Sequence, residues 1–231
     1  MLVKRFLQLT LLALVASGLL LAAGCGGKDE AKDQTTGTTT TQEEGLNGLT
    51  KSNPLKVDKQ AGTISFLAQV NGKYFSQPTR HGAVFYDGAN GEKAILRAFA
   101  EPEPFYNGLL ELGAKAGNNM TAANKETTHV SGDALDVTVT WNGANQEYKL
   151  DEVVKESNGK PVDIRFGGNL KAAQDKKTGC LICLDSCPVG ITSNANYTYG
   201  AVEKRDEVGF TGNKDLLPAD GGLVIVTLKL K

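Results

Sequence analysis

At 231 residues, 40% hydrophobic and 22% charged, the chain is long enough for one well-filled domain, and its formal charge of −1 excludes a basic nucleic-acid footprint. Glycine, at 27 residues, exceeds the usual share of about 7% and suits a turn-rich β fold. Of the four cysteines, Cys25 stands alone, whereas Cys180, Cys183 and Cys187 share one short stretch.

The N-terminus reads as an export signal. Lys4 and Arg5 precede an apolar run from Phe6 to Ala23, the order of a secretory signal rather than of a fold element. The run ends in Leu21-Ala-Ala-Gly-Cys25, which resembles the lipobox of bacterial lipoproteins, although Ala22 stands where that motif usually has leucine. The resemblance implies a signal peptide over 1–24, lipidation at Cys25 and an extracytoplasmic protein anchored to the cell membrane by that lipid. Without Lys4 and Arg5, the 25 basic residues fall to 23 against 26 acidic, a mature charge of about −3. From Gly26 to Lys51 the chain is polar and threonine-rich, with almost nothing apolar to bury, and is expected to be a disordered tether. Such a tether reaches on the order of 25 to 30 Å.

The folded part is expected from Pro54 to Lys231. Thr63–Val70 alternates as a strand, and Asn71-Gly72 suggests a tight hairpin turn into a return strand at Tyr74 and Phe75. Ala83–Tyr86 and Ala94–Phe99 read as further strands. Phe105, Leu109 and Leu112 fall at helical spacing behind Pro104, and this is the one main helix expected. Leu135–Trp141 alternates and turns at Asn142-Gly143 toward Tyr148. Val162–Phe166 reads as a strand, and Leu223–Leu230 as the strand that closes the sheet. Together these predict an α+β fold, a mostly antiparallel sheet in a single domain.

Chemistry concentrates in Thr178–Ile191. Cys180, Cys183 and Cys187 follow C-x2-C-x3-C-P, the last three thiolates of the bacterial iron-sulfur run C-x2-C-x2-C-x3-C-P, but Lys177 occupies the position of its first cysteine. Three chemistries remain open: a three-thiolate metal or cluster site completed by another ligand, a disulfide with a spare thiol, or thiol exchange through Cys180 and Cys183. Export favours disulfides; the spacing and Pro188 favour a cluster. A fourth ligand could come from His81, His129, Asp185 or a substrate thiol, with His81 the better placed of the two histidines. No phosphate-binding loop and no catalytic constellation is present.

His81-Gly-Ala-Val-Phe85, Phe105-Tyr106, Gly117-Asn-Asn119, Arg165-Phe-Gly-Gly-Asn169, the cysteine stretch with Pro188-Val-Gly-Ile191, Ser193-Asn194 and Tyr197 occur together. This ensemble resembles the YdjY-type lipoproteins, a bacterial group labelled ferredoxin-like for its cysteine loop. The resemblance implies a cell-envelope protein with a metal or iron-sulfur site, and it carries no catalytic residues. The cysteine stretch itself sets an iron-sulfur cluster or zinc as the expected cofactor, with an envelope redox partner. The expectation is therefore a tethered lipoprotein that binds metal at Cys180, Cys183 and Cys187, with His81 as a further ligand, for electron transfer or metal handling. The alternative is a non-enzymatic envelope binding or scaffold domain with a disulfide in the loop.

Overall fold

The computed structural model describes residues 44–231, so the signal segment, Cys25 and most of the expected tether lie outside the described residues. Strands β1 (Gly45–Leu46) and β2 (Leu49–Thr50) form a small hairpin through Asn47-Gly48, both at positive φ. The ordered chain thus begins before Pro54, inside the expected tether, because Leu49 is buried against Leu67 and Ile225 with Leu46 beside it.

Next come β3 (Leu55–Asp58), β4 (Thr63–Val70), β5 (His81–Phe85), β6 (Ala94–Ala98) and helix α1 (Pro102–Glu111). They are followed by β7 (Leu135–Trp141), β8 (Tyr148–Lys149), the single-turn helix α2 (Leu150–Val153), β9 (Val154–Glu156) and β10 (Ile164–Phe166). Helix α3 (Leu170–Lys176), β11 (Cys180–Cys183), β12 (Thr192–Asn194), β13 (Phe210–Gly212) and β14 (Leu223–Leu230) complete the chain.

Ten strands make one sheet in the order β10-β12-β11-β5-β6-β4-β14-β7-β8, with β3 also paired to β4. The sheet is mixed: β5 runs parallel to β6 and β11 parallel to β12. It also curls on itself. Ala134 bridges Arg165, and the Phe166 N–H donates to the Asp133 carbonyl at 2.9 Å, joining the start of β7 to β10. The expected α+β fold with a mostly antiparallel sheet is corrected accordingly. The protein is mostly β, a large curled mixed sheet, with only 15% helix.

Period-2 patterning explains the middle of the sheet. Ile64, Phe66, Ala68 and Val70 point into the core, as do Val137 and Val139 on β7 and Val224, Val226 and Leu228 on β14. Strand β14 does not close the sheet at an edge but lies between β4 and β7, in register with each over seven residue pairs. Helix α1 seats Phe105 and Leu109 on this core, Phe105 meeting Phe66 edge to face at 5.5 Å. The hairpin expected at Asn71-Gly72 is absent; a 3-10 turn over Gly72–Phe75 stands there instead. Gly72 is needed for approach rather than for a turn, since a Cβ on it would sit 2.7 Å from the Asp220 Cβ. Among the described residues no helix is long and apolar enough to cross a membrane.

Candidate metal centre

Two adjacent strands build the site. His81 opens β5, and on β11 Cys183 sits opposite His81 while Cys180 sits opposite Val84. Residues three apart on a regular strand face opposite sides of the sheet. Register shifts between Cys180 and Ile182, and again between Ile182 and Cys183, reset that alternation and let both sulfurs meet one imidazole. The Cys-x2-Cys segment is therefore a bulged, fully buried strand, where the sequence suggested a loop.

One ligand atom each from His81, Cys180 and Cys183 lies within 4.8 Å of the other two, close enough to share a metal ion. The His81 Nδ1 is 3.9 Å from the Cys180 Sγ. A tetrahedral zinc ion with bonds of about 2.3 Å to sulfur and 2.0–2.1 Å to nitrogen holds its donors about 3.5–3.8 Å apart. The donors need only a small contraction to reach that geometry. Two thiols and an imidazole are also the soft and borderline donors that zinc and iron select.

Cys187 belongs to the same apolar cluster as Cys180, Cys183, Val84 and Ala94, apart from the main core, with Val189 packed against it. All three cysteines are free thiols and fully buried, and His81 is only 3% exposed. Interaction with the Cys180 and Cys187 thiols, reinforced by burial, pushes the Cys183 thiol well above its ordinary value. Interaction with Cys183 draws Cys180 well below its ordinary value against burial, with His81 and Asn90 assisting. Cys187 is lowered likewise, first by Cys183 and, against burial, by the charge of Arg80.

The other expected ligands have different partners. Asp185 is fully buried but committed: its carboxylate accepts from the Arg80 Nε at 2.9 Å and Nη2 at 2.5 Å, and from the Gly200 N–H at 3.0 Å. Burial pushes the Asp185 carboxyl up, while Arg80 and the Gly200 N–H draw it back. Burial also opposes the Arg80 charge, but Cys187, Asp185 and Cys183 outweigh it and hold the guanidinium firmly protonated. The exposed His129 is tied by its Nδ1 to the Ala195 carbonyl at 2.6 Å and takes no part. Lys177 caps α3 on the outside at φ 50°, so the position of the missing first cysteine points to solvent rather than to the sulfurs.

Several supporting residues escaped the sequence reading. Asn90 directs its amide at the Cys180 Sγ from 3.7 Å, and Asn169 clamps the Cys187 and Gly190 carbonyls at 3.1 and 3.2 Å. Arg80 lies on the Tyr199 ring at 4.2 Å. Arg80 had only its proximity to His81 as a sequence signal, Asn169 only its place in the family-like stretch, and Asn90 neither.

Comparison with known proteins places this geometry in a family. No solved structure matches the chain. The chain is 52% identical over 217 residues, 94% of either chain, to a protein of Escherichia coli (strain K12) described as uncharacterized protein YdjY. The YdjY domain matches residues 55–229, which takes in the whole ten-stranded sheet with His81 and the cysteine strand, and the chain belongs to the YdjY domain family.

Proposed function

We propose that this protein is a membrane-anchored extracytoplasmic lipoprotein whose β domain holds a metal centre at His81, Cys180 and Cys183, with Cys187 in the same buried cluster. The convergence of three donor atoms within 4.8 Å carries this reading. Such a span suits a single zinc or iron ion better than a multi-iron cluster, whose thiolates sit on separate irons and are spread by the whole cluster. Full burial suits a closed site more than a catalytic one with an open coordination position. An iron centre would serve electron transfer; a zinc centre would be structural or serve metal handling, since zinc has no redox chemistry. A disulfide in the loop is the second reading, supported by Cys180, Cys183 and Cys187 sharing one buried cluster.

Full-length protein purified without oxygen separates the two by elemental analysis and thiol titration. The metal reading expects about one ion per chain, with most of it lost in each of His81→Ala, Cys180→Ser and Cys183→Ser. Metal-free protein with the Cys25 thiol blocked by its lipid, showing one reactive thiol in denaturant before reduction and three after, would establish the disulfide instead. The anchor rests on Cys25 following an apolar signal, and its test is partition into detergent. Wild type should enter the detergent phase and Cys25→Ala should persist as an unlipidated precursor, because firm anchoring needs more than one acyl chain. Equal lipid incorporation in the two would end the lipoprotein reading.

A further inference from the structure

Strand β12 is bonded to the cysteine strand through its side chains, with one exception. The Thr192 hydroxyl donates to the Leu181 carbonyl at 2.8 Å, and the Asn194 amide donates to the Leu184 carbonyl at 3.1 Å. Ser193 lies between them, 0% exposed, and its hydroxyl oxygen has no hydrogen-bond partner. It is the residue that pairs with Cys183 in the parallel ladder, and paired residues present their side chains to the same side of a sheet. Both side chains converge on Gly190. A Cβ placed there would sit 2.8 Å from the Ser193 Oγ and 3.0 Å from the Cys183 Sγ, so glycine leaves the space that sulfur and hydroxyl occupy.

A buried hydroxyl without a partner is costly and calls for an explanation. Metal binding removes the Cys183 proton and turns the sulfur into a charged acceptor, for which an O–H donor alongside is a strong partner. Resting on the metal centre proposed above, we infer that Ser193 is a positioning residue of that centre, donating its hydroxyl hydrogen to the metal-bound Cys183 thiolate, with Gly190 holding open the space. The hydrogen bond orients the thiolate and withdraws electron density from it, as outer-shell partners do at metal sites.

The test uses Co2+ as the probe on the full chain, because thiolate-to-cobalt charge transfer reports the electron density on sulfur. Wild type should show that near-ultraviolet band. In Ser193→Ala the band should move to lower energy and Co2+ affinity should fall about tenfold or more, the usual effect of losing an outer-shell partner. Metal-free Ser193→Ala should melt no earlier than metal-free wild type, since the substitution deletes an unsatisfied polar group. A variant with the wild-type band and affinity overturns the inference. So does a metal-free variant that melts earlier or fails to fold, which would give the hydroxyl a structural partner. Wild type that binds Co2+ without any thiolate band would instead remove the metal centre itself, an outcome distinct from failure of the Ser193 assignment alone.

Discussion

Arg80 and Asp185 show how single residues hold this site in place. Arg80 immediately precedes His81, and Asp185 follows Cys183 by two residues, so their bidentate contact ties the start of β5 to the end of β11. The Leu184 N–H to Arg80 carbonyl bond, 2.8 Å, joins the same two points. Neither charge reaches solvent to any extent, with side-chain exposures of 5% and 0%. Removing one partner of such a pair costs about 3–5 kcal/mol because the other is left charged and buried, and that is a large part of a stability of about 5–15 kcal/mol. Asp185→Ala should therefore lower the melting midpoint sharply, whereas the paired replacement Arg80→Met with Asp185→Leu should recover much of the loss. If Asp185→Ala melts with wild type, the pair is not the buried clamp described. Sequence spacing pointed to His81 and the cysteines because they carry recognisable ligand chemistry. It did not point to Arg80, Asn90 or Ser193, whose roles come from contacts between residues far apart in the chain.

At the scale of elements, legibility follows burial. Strands β4, β6, β7 and β14 were readable because each, at least in part, buries one face more than the other and alternates accordingly. Helix α1 was readable from its apolar period and leading proline, with Pro102 rather than Pro104 at its first position. Strand β11 was not, since Cys180-Leu-Ile-Cys183 is buried on both faces and so shows no alternation, and it lies among turn-forming residues. Its bulges are the feature that puts Cys180 and Cys183 on one side, and a bulge leaves no period in the sequence. Strands β9, β12 and β13, with three residues each, are too short to show a period at all. The hairpin at 45–50 was hidden by its polar surroundings, where Leu46 and Leu49 are the apolar residues that dock it.

For the whole molecule, the curl of the sheet encloses the main core, and the site lies apart from it. Rolling β10 round toward β7 encloses one core within the sheet, and the cysteines and Val84 pack as a separate apolar cluster. The fold class was misjudged because patterning reveals strands and not their partners: β5 and β6 are consecutive and parallel, and β11 and β12 likewise, which alternation cannot report. A metal ion bound by His81 on β5 and two cysteines on β11 would cross-link neighbouring strands in the middle of this sheet, so its binding energy would add to the stability of the fold. X-ray absorption at the metal edge of the full chain, purified without oxygen, tests this centre most directly. The account predicts sulfur neighbours at about 2.3 Å together with nitrogen at about 2.0–2.1 Å and no second metal nearby. A shell of oxygen alone, or a metal–metal neighbour, would contradict it.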